Sequence, residues 1–359
     1  MKTWLSRIDW QLVIPVAVLL AISLTTIFSV SQSFFRSQLF FVVLGVVFFV
    51  IFSQVHLRIF EYLAKPIYFV SLLCLFFLLF LGIASRGAIR WLDIAGFRIQ
   101  FSEVFKPFLV LALAGFLSDK ENFSLNTFLK TLGLLVPVAF LIFKQPDLGS
   151  ALLYVLAAFL TLILYGFPLW WFGIGAGGFL AIIPIFWEFL HQYQKQRVLT
   201  FLHLTKDPLG TSYNAIQAII AVGSGMLIGK GFGQGTQSAL RFLPEKHTDF
   251  IFATISEDLG FIGGLIVIGA FLFLFYRLYV IFDRTDDTFY KVFIAGAFSL
   301  LLVQFFVNIG MNIGVLPIVG IPLPFVSYGG SSLLSNAILL GCLSNIASQV
   351  KRKDVLEIR

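Results

Sequence analysis

The residues best placed for chemistry lie in Phe242-Leu243-Pro244-Glu245-Lys246-His247-Thr248-Asp249-Phe250-Ile251-Phe252, where a polar, glycine-rich stretch meets a long apolar one. Asp249 stands at the junction. An ionisable residue at the entrance of a membrane-crossing segment is costly unless it has a partner or a task, and is a functional candidate by default. Position alone leaves a second reading open. Thr248 or Asp249 could cap the helix that follows, because Thr and Asp side chains accept hydrogen bonds from first-turn N–H groups. A cap and a catalytic base are compatible roles.

Other groups are weighed the same way. Glu257 and Asp258 follow in the same run, roughly 12–13 Å deeper on a helix rising 1.5 Å per residue. Paired acids there must face protein, water or a cation, so tying helices together suits them as well as catalysis. Glu103 and Lys106 are spaced i, i+3 and can pair on one helix face; Arg86, Arg90, Asp93 and Arg98 precede them. Asp147 follows Pro146 at a helix start, where a proline and a carboxylate are both favourable, so its structural reading is strong. Gln304, Asn308 and Asn312 recur at i, i+4, i+8 as one polar stripe, which interhelical hydrogen bonds or a wet groove would explain equally.

Two glycine- and proline-rich stretches complete the set. Gly229-Lys230-Gly231-Phe232-Gly233-Gln234-Gly235 could cradle a phosphate on backbone N–H groups, but it lacks the Lys-Ser/Thr and preceding strand of a phosphate-binding loop. Pro317-Ile318-Val319-Gly320-Ile321-Pro322-Leu323-Pro324 leads into Ser327-Tyr328-Gly329-Gly330-Ser331-Ser332 and predicts a bent, re-entrant loop. Such a loop is tolerable only when buried in protein or lining a cavity.

The elements that position these groups follow from composition. The 359 residues are 59% hydrophobic and 12% charged, against roughly 25% charged in ordinary soluble chains. The chain reads as one integral membrane domain over residues 1–359. Its first apolar run, about 12–30, has no small-residue cleavage site behind it and is long enough to span. Cys74 and Cys342 sit in apolar runs, and His56, His191, His203 and His247 form no zinc-binding pattern.

Apolar runs mark ten candidate spans, about 11–30, 38–54, 66–84, 104–117, 128–143, 148–166, 168–189, 251–281, 289–314 and 330–349. Backbone satisfaction in lipid makes the fold all-α. The eighth run corresponds to about 46 Å of helix and should tilt or protrude. A large loop, about 190–250, separates spans seven and eight and is too long for a plain connector. Within it Tyr213–Val222 reads as a short helix stopped at Gly223-Ser224-Gly225.

Ten spans put both termini on one side, with thirteen of the 25 Lys and Arg residues. Ten of the remaining twelve fall in two segments, Arg86, Arg90, Arg98 and Lys106, then Lys195, Arg197, Lys206, Lys230, Arg241 and Lys246. Without those segments the bias places both termini in the cytoplasm. The two outer basic segments then suit either anionic headgroups or a phosphorylated ligand.

Together the motifs resemble the SEDS family of shape, elongation, division and sporulation proteins, and the short tails its elongation branch. The matching pieces are Gly87-Ala88-Ile89-Arg90-Trp91-Leu92, Gln100-Phe101-Ser102-Glu103-Val104-Phe105-Lys106-Pro107, Gln145-Pro146-Asp147-Leu148-Gly149 and Gly223-Ser224-Gly225. They continue through Gly231-Phe232-Gly233, Gly235-Thr236-Gln237, the Phe242-to-Phe252 stretch, Glu257-Asp258-Leu259-Gly260 and Ser327 to Ser332, in family order over nearly the whole chain. Phe101 and Asp258 depart from the family's commonest residues.

The resemblance implies a peptidoglycan glycosyltransferase of the bacterial cytoplasmic membrane that polymerises lipid II, an undecaprenyl-pyrophosphate-linked disaccharide-pentapeptide, for cell elongation. It implies Asp249 as the essential residue, and Glu103 with Lys106, and Asp147, as sensitive positions. It also implies a class B penicillin-binding protein (a transpeptidase) as partner within the elongation machinery, and no nucleic acid. Forming a β-1,4 bond from an α-linked pyrophosphate inverts the anomeric centre, which needs a base at the acceptor hydroxyl and positive charge at the leaving group. Asp249 is assigned the base. Arg86, Arg90, Lys106, Arg197 and Lys246 are the candidates for the pyrophosphate, and Glu103, Asp147 and Ser327 complete the residues expected to bind substrate. No cofactor is demanded; a divalent cation, Mg or Mn, is the one candidate. The rival reading, a lipid II flippase, would place its charges near mid-membrane, often in related repeats; Glu257 and Asp258 alone fit, and no repeats are visible. A non-catalytic scaffold leaves the outer basic segments without a reason.

Overall fold

The structure, a computed structural model, describes residues 8–85, 88–94, 97–118, 123–202, 212–240 and 242–357. Its first half holds α1 (Trp10–Val30), α2 (Gln32–Gln54), α3 (Arg58–Tyr62) and α4 (Ala64–Leu81), then strands β1 (Ile83–Ser85), β2 (Ala88–Ile94) and β3 (Phe97–Ile99). After these come α5 (Phe101–Val104), α6 (Lys106–Ser118), α7 (Leu125–Lys144), α8 (Leu148–Tyr165) and α9 (Leu169–Phe189). The second half holds α10 (Gln192–Leu202), α11 (Tyr213–Ser224), α12 (Thr236–Ala239), α13 (Ile251–Asp283), α14 (Thr288–Asn312) and α15 (Gly330–Glu357).

Each of the ten expected spans coincides with a helix, and α11 takes the place of the short helix expected in the large loop. Among the described residues, eight helices are long and apolar enough to cross a membrane; α6 and the Leu169–Ile185 part of α9 are apolar but shorter. This is an integral membrane protein with an all-α membrane part. α14 and α15 are the most buried of the eight and form the centre: α2 lies along α15, α6 and α8 along α14, and α1 along α13.

Two features differ from the expectation. Outside the membrane part, residues 83–99 include a small antiparallel sheet in the order β1-β2-β3, with Ser85 opposite Ala88 and Ile94 opposite Phe97. The chain there is rich in β-branched and aromatic residues (Ile83, Ile89, Trp91, Ile94, Phe97 and Ile99), types that favour strands, and pairing strands satisfies its backbone groups. The eighth span is not one straight helix. At Gly260 the backbone turns to φ 68°, ψ −161°, a conformation open in practice to glycine alone. The N–H groups of Phe261 and Ile262 donate to Met226 O (2.8 Å) and Leu227 O (3.2 Å) instead of continuing the helix. The membrane-crossing part is therefore 261–283, about 34 Å long, and 251–259 is a separate short helix bearing the candidate acids. Gly260→Ala should destabilise the protein by about 1–3 kcal/mol, because a Cβ there would also strike the Leu227 and Gly229 backbone. A thermal melt of purified protein reads this directly.

The two ends of the bundle are distinct. One is laced by an Arg277–Asp9 ion pair, Arg58–Asp287 (2.7 Å), Asp9 N–H to Ser344 Oγ (3.0 Å) and Asn345 Nδ2 to Ser53 O (2.8 Å). The start of α1 and the end of α15 lie at this end. The opposite end carries the sheet, the 145–147 turn, the large loop and the 313–329 segment.

Candidate active site

The turn before α13 is built from backbone bonds that converge on one carbonyl. Glu245 adopts a left-handed conformation (φ 50°), and its O accepts from Thr248 N (3.1 Å) and Phe250 N (3.2 Å). The cap residue of α13 is then Phe250, which makes no side-chain cap bond. Neither Thr248 nor Asp249 is the N-cap, which corrects that expectation. The reason lies in α14. Asn312 Oδ1 accepts the first-turn N–H of Ala253 (3.0 Å), so the cap is supplied from another helix. Asn308 Nδ2 and Asn312 Nδ2 both donate to the carbonyl of Asp249 (3.1 and 3.0 Å). Two members of the polar stripe, Asn308 and Asn312, are thus an interhelical clamp on the backbone of Asp249, and the side chain is spared capping; the third, Gln304, is buried with no hydrogen-bond partner among the described residues.

The other wall is the irregular 313–329 segment. Asn308 Nδ2 also donates to Ile321 O (2.8 Å), and Gly320 sits in the left-handed region (φ 74°). A Cβ at Gly320 would lie 3.4 Å from Asp249 Oδ2, so the half-buried carboxylate rests against this glycine. Ser327 Oγ donates to Thr248 O (2.7 Å) and accepts from Leu323 N (2.8 Å), while Tyr328 N donates to His247 O (2.8 Å). Most of the segment from Ile321 to Ser327 is buried in protein, as a re-entrant loop requires. Ser327, expected among the substrate contacts, is buried with its hydroxyl bonded to two backbone groups; it shapes the Asp249 turn.

Lys246 shares that turn, and its ammonium bonds the carbonyl of Ser238 at the end of the glycine-rich stretch. Glu257 accepts Gln237 N (2.9 Å) and Ser238 N (3.0 Å), and Lys230 approaches to 3.5 Å. The N–H groups of Lys230 and Gly231 donate to Glu257 O and Asp258 O, both at 3.0 Å. The glycine loop therefore spends these N–H groups on α13, leaving them unavailable to a phosphate. Glu257 ties the large loop to the bundle, the role weighed against catalysis.

A second polar cluster lies under the sheet. Lys106 Nζ is 2.6 Å from Glu103 Oε2, and both residues are buried. Asp147 caps α8 through Ser150 N (3.1 Å) and accepts from Ser150 Oγ and Gln100 Nε2, each at 2.9 Å. Tyr154 Oη donates to Ser102 O (2.6 Å), and Gln100 N donates to Ser331 Oγ (3.1 Å) at the start of α15. Gly149 packs against the carbonyl of Val319 while the adjoining Gly320 packs against Asp249. One peptide thus separates the start of α8 from the carboxylate.

Not every predicted residue joins these clusters. Arg86 and the side chain of Arg90 lie outside the described residues. Arg197 is exposed on α10, which packs broadly on neither α13, the helix after Asp249, nor α6, which carries Lys106. Residues that sequence reasoning passed over include Gln100, Gly320 and His247, whose ring stacks on Phe34 at 4.3 Å. Among the described residues, no group of three or more His, Cys, Asp or Glu side chains converges to hold a metal ion.

A helical membrane protein with a clamped carboxylate against a buried irregular loop is the class that fold and site define. Residues 4–352 match the family model of FtsW, RodA and SpoVE, described as cell cycle proteins, and the chain belongs to that family. It is 42% identical over 295 residues to the peptidoglycan glycosyltransferase MrdB of Escherichia coli, covering 82% of this chain and 80% of that one. A chain from the structure of a peptidoglycan synthase complex, on the coordination of polymerization and crosslinking, aligns with TM-score 0.83 and 28% identity over 96% of this chain and 98% of that one. The rod shape determining protein RodA of Thermus thermophilus aligns with TM-score 0.72 and 26% identity over 95% and 96%.

Proposed function

We propose that this protein is a peptidoglycan glycosyltransferase that joins lipid II units into glycan strands by a single inverting displacement, with Asp249 as the base. The observation that carries the reading is the clamp: Asn308 and Asn312 fix the Asp249 backbone while its carboxylate stays half-buried against Gly320. A base held this way can take the proton of the acceptor 4-hydroxyl as that oxygen attacks the donor's anomeric carbon. The undecaprenyl pyrophosphate leaves from the opposite face, carrying the electron pair of the broken C–O bond. Lys246, on the same turn, and Lys106 are the described candidates to receive its charge; Lys106 must then exchange Glu103 for a phosphate oxygen. Arg86, Arg90 and Arg197 remain in the proposal as further cations of this face. Mg or Mn would enter only as a companion of the pyrophosphate, offsetting its charge.

The proposed partner is a class B penicillin-binding protein of the elongation machinery, in line with the synthase complex whose chain this one resembles. The proposed site is the bacterial cytoplasmic membrane, with the termini in the cytoplasm and Asp249 outside. The charge bias and the shared end of the described termini support this orientation.

The test is purified protein with its penicillin-binding partner and labelled lipid II, read as glycan length. Polymer is expected. Leaflet exchange without polymer would instead support a flippase, and neither outcome a scaffold; both overturn the proposal. Asn312→Leu should cost about 1–3 kcal/mol of stability, since it leaves the Ala253 N–H buried without its acceptor. Because it also loosens the Asp249 carbonyl, polymerisation should fall by about 10²-fold, measured on the fraction that remains folded.

A further inference from the structure

At the end of the bundle that carries the termini, a cavity of about 650 Å³ opens between α4, α6, α7 and α8, within the usual range for small-molecule and lipid pockets. It runs inward from Arg58, Glu61 and Lys65 to Tyr154, whose hydroxyl leaves it to bond Ser102 O beneath the Glu103–Lys106 pair. The chamber therefore ends blindly under the second polar cluster, away from the face that holds Asp249.

Its walls are largely apolar, and their hydroxyl protons are committed. Tyr68 Oη donates to Leu134 O (2.7 Å), Thr131 Oγ1 to Thr127 O (2.9 Å) and Thr161 Oγ1 to Ala157 O (2.6 Å). Every one of these hydroxyls is spent within the wall, and the remaining lining is largely aliphatic and aromatic. A buried water needs two to four polar partners, and these walls offer few, whereas an acyl chain needs none. Charge occurs only at the mouth. Arg58 is held there by Asp287 (2.7 Å) and faces Glu61 (3.9 Å), but Lys65 is exposed and pairs with no acidic group among the described residues. The chamber thus presents a largely apolar, chain-sized interior and one uncompensated cation at its rim.

We propose that this chamber binds one acyl chain of an anionic phospholipid from the leaflet at the terminal end, with the phosphate on Lys65. The bound chain would lie against α6 and α8, the helices whose opposite ends carry Lys106 and Asp147. This inference does not depend on the catalytic reading.

The test is native mass spectrometry of the full chain released from nanodiscs of mixed phosphatidylglycerol and phosphatidylcholine. Wild type should retain one phosphatidylglycerol in preference to phosphatidylcholine. Lys65→Glu should lower that preference by about fivefold or more, from the loss of one headgroup-facing cation. Ala158→Trp or Leu113→Trp, which fill the chamber from two different walls, should abolish retention while Lys65→Glu protein keeps its fold. Three results would overturn the proposal: no retained phospholipid in wild type, retention unchanged in both folded Trp variants, or an anionic preference unchanged in Lys65→Glu.

Discussion

Asp249→Asn should reduce lipid II polymerisation by about 10²–10⁴-fold, the range expected when a general base is removed. The substitution keeps the shape of the side chain and removes its capacity to accept a proton. Protein yield and melting temperature should change little, by about 1 kcal/mol or less, because α14 holds this turn through the Asp249 carbonyl, which Asn retains. The first-turn cap is unaffected as well, since Asn312 supplies it. The measurement is the rate of labelled lipid II consumption, with glycan length on a gel, alongside a thermal melt. Polymerisation at the wild-type rate by a well-folded variant would remove Asp249 from the mechanism.

The second large effect concerns the buried pair. Glu103→Gln leaves the Lys106 ammonium, 2% exposed, without its counter-charge at 2.6 Å. Breaking a buried pair from one side costs about 3–5 kcal/mol, whereas replacing both partners by apolar or neutral groups of similar size is often close to neutral. The single variant should therefore melt far below wild type, and Glu103→Gln with Lys106→Met should recover most of the loss. The double variant also separates structure from chemistry. If Lys106 receives the pyrophosphate, the refolded double variant stays slow; if it polymerises at the wild-type rate, the pair only holds α5 to α6.

The end of the bundle that carries the described termini depends on weaker interactions. The bonds that tie the terminal end involve partly exposed ions such as Arg58 with Asp287, and exposed pairs contribute little each, about 0–1 kcal/mol. The stability of the protein rests instead on the packing of α14 and α15 against α2, α6 and α8, where side-chain fit and interhelical hydrogen bonds act in place of a hydrophobic drive from lipid.

The ten long helical runs, the long loop at about 190–250 and the family motifs were all legible in the sequence, for a physical reason. Lipid allows few backbone solutions, so apolar run length translates almost directly into helices. The same constraint says nothing about the segments outside the membrane, and there the small sheet at residues 83–99 went unseen. Gly260 could be named in a motif but not identified as a break, since a single glycine within an apolar run is compatible with a continuous helix. Its break became visible only through the Met226 and Leu227 carbonyls that take over the freed N–H groups.

Asp249 illustrates the same division most sharply. Sequence alone determined that a carboxylate stands where a polar loop enters an apolar helix, that Asn308 and Asn312 share one face of a later helix, and that three prolines bend the segment after it. Only the tertiary structure decided what these facts mean together. The asparagines cap and clamp α13 from α14, Gly320 leaves room for the carboxylate, and Ser327 shapes the turn. Helical periodicity is local and is written in residue spacing, whereas the partner of a buried polar group more than fifty residues away is set by how helices pack, which no spacing along the chain encodes.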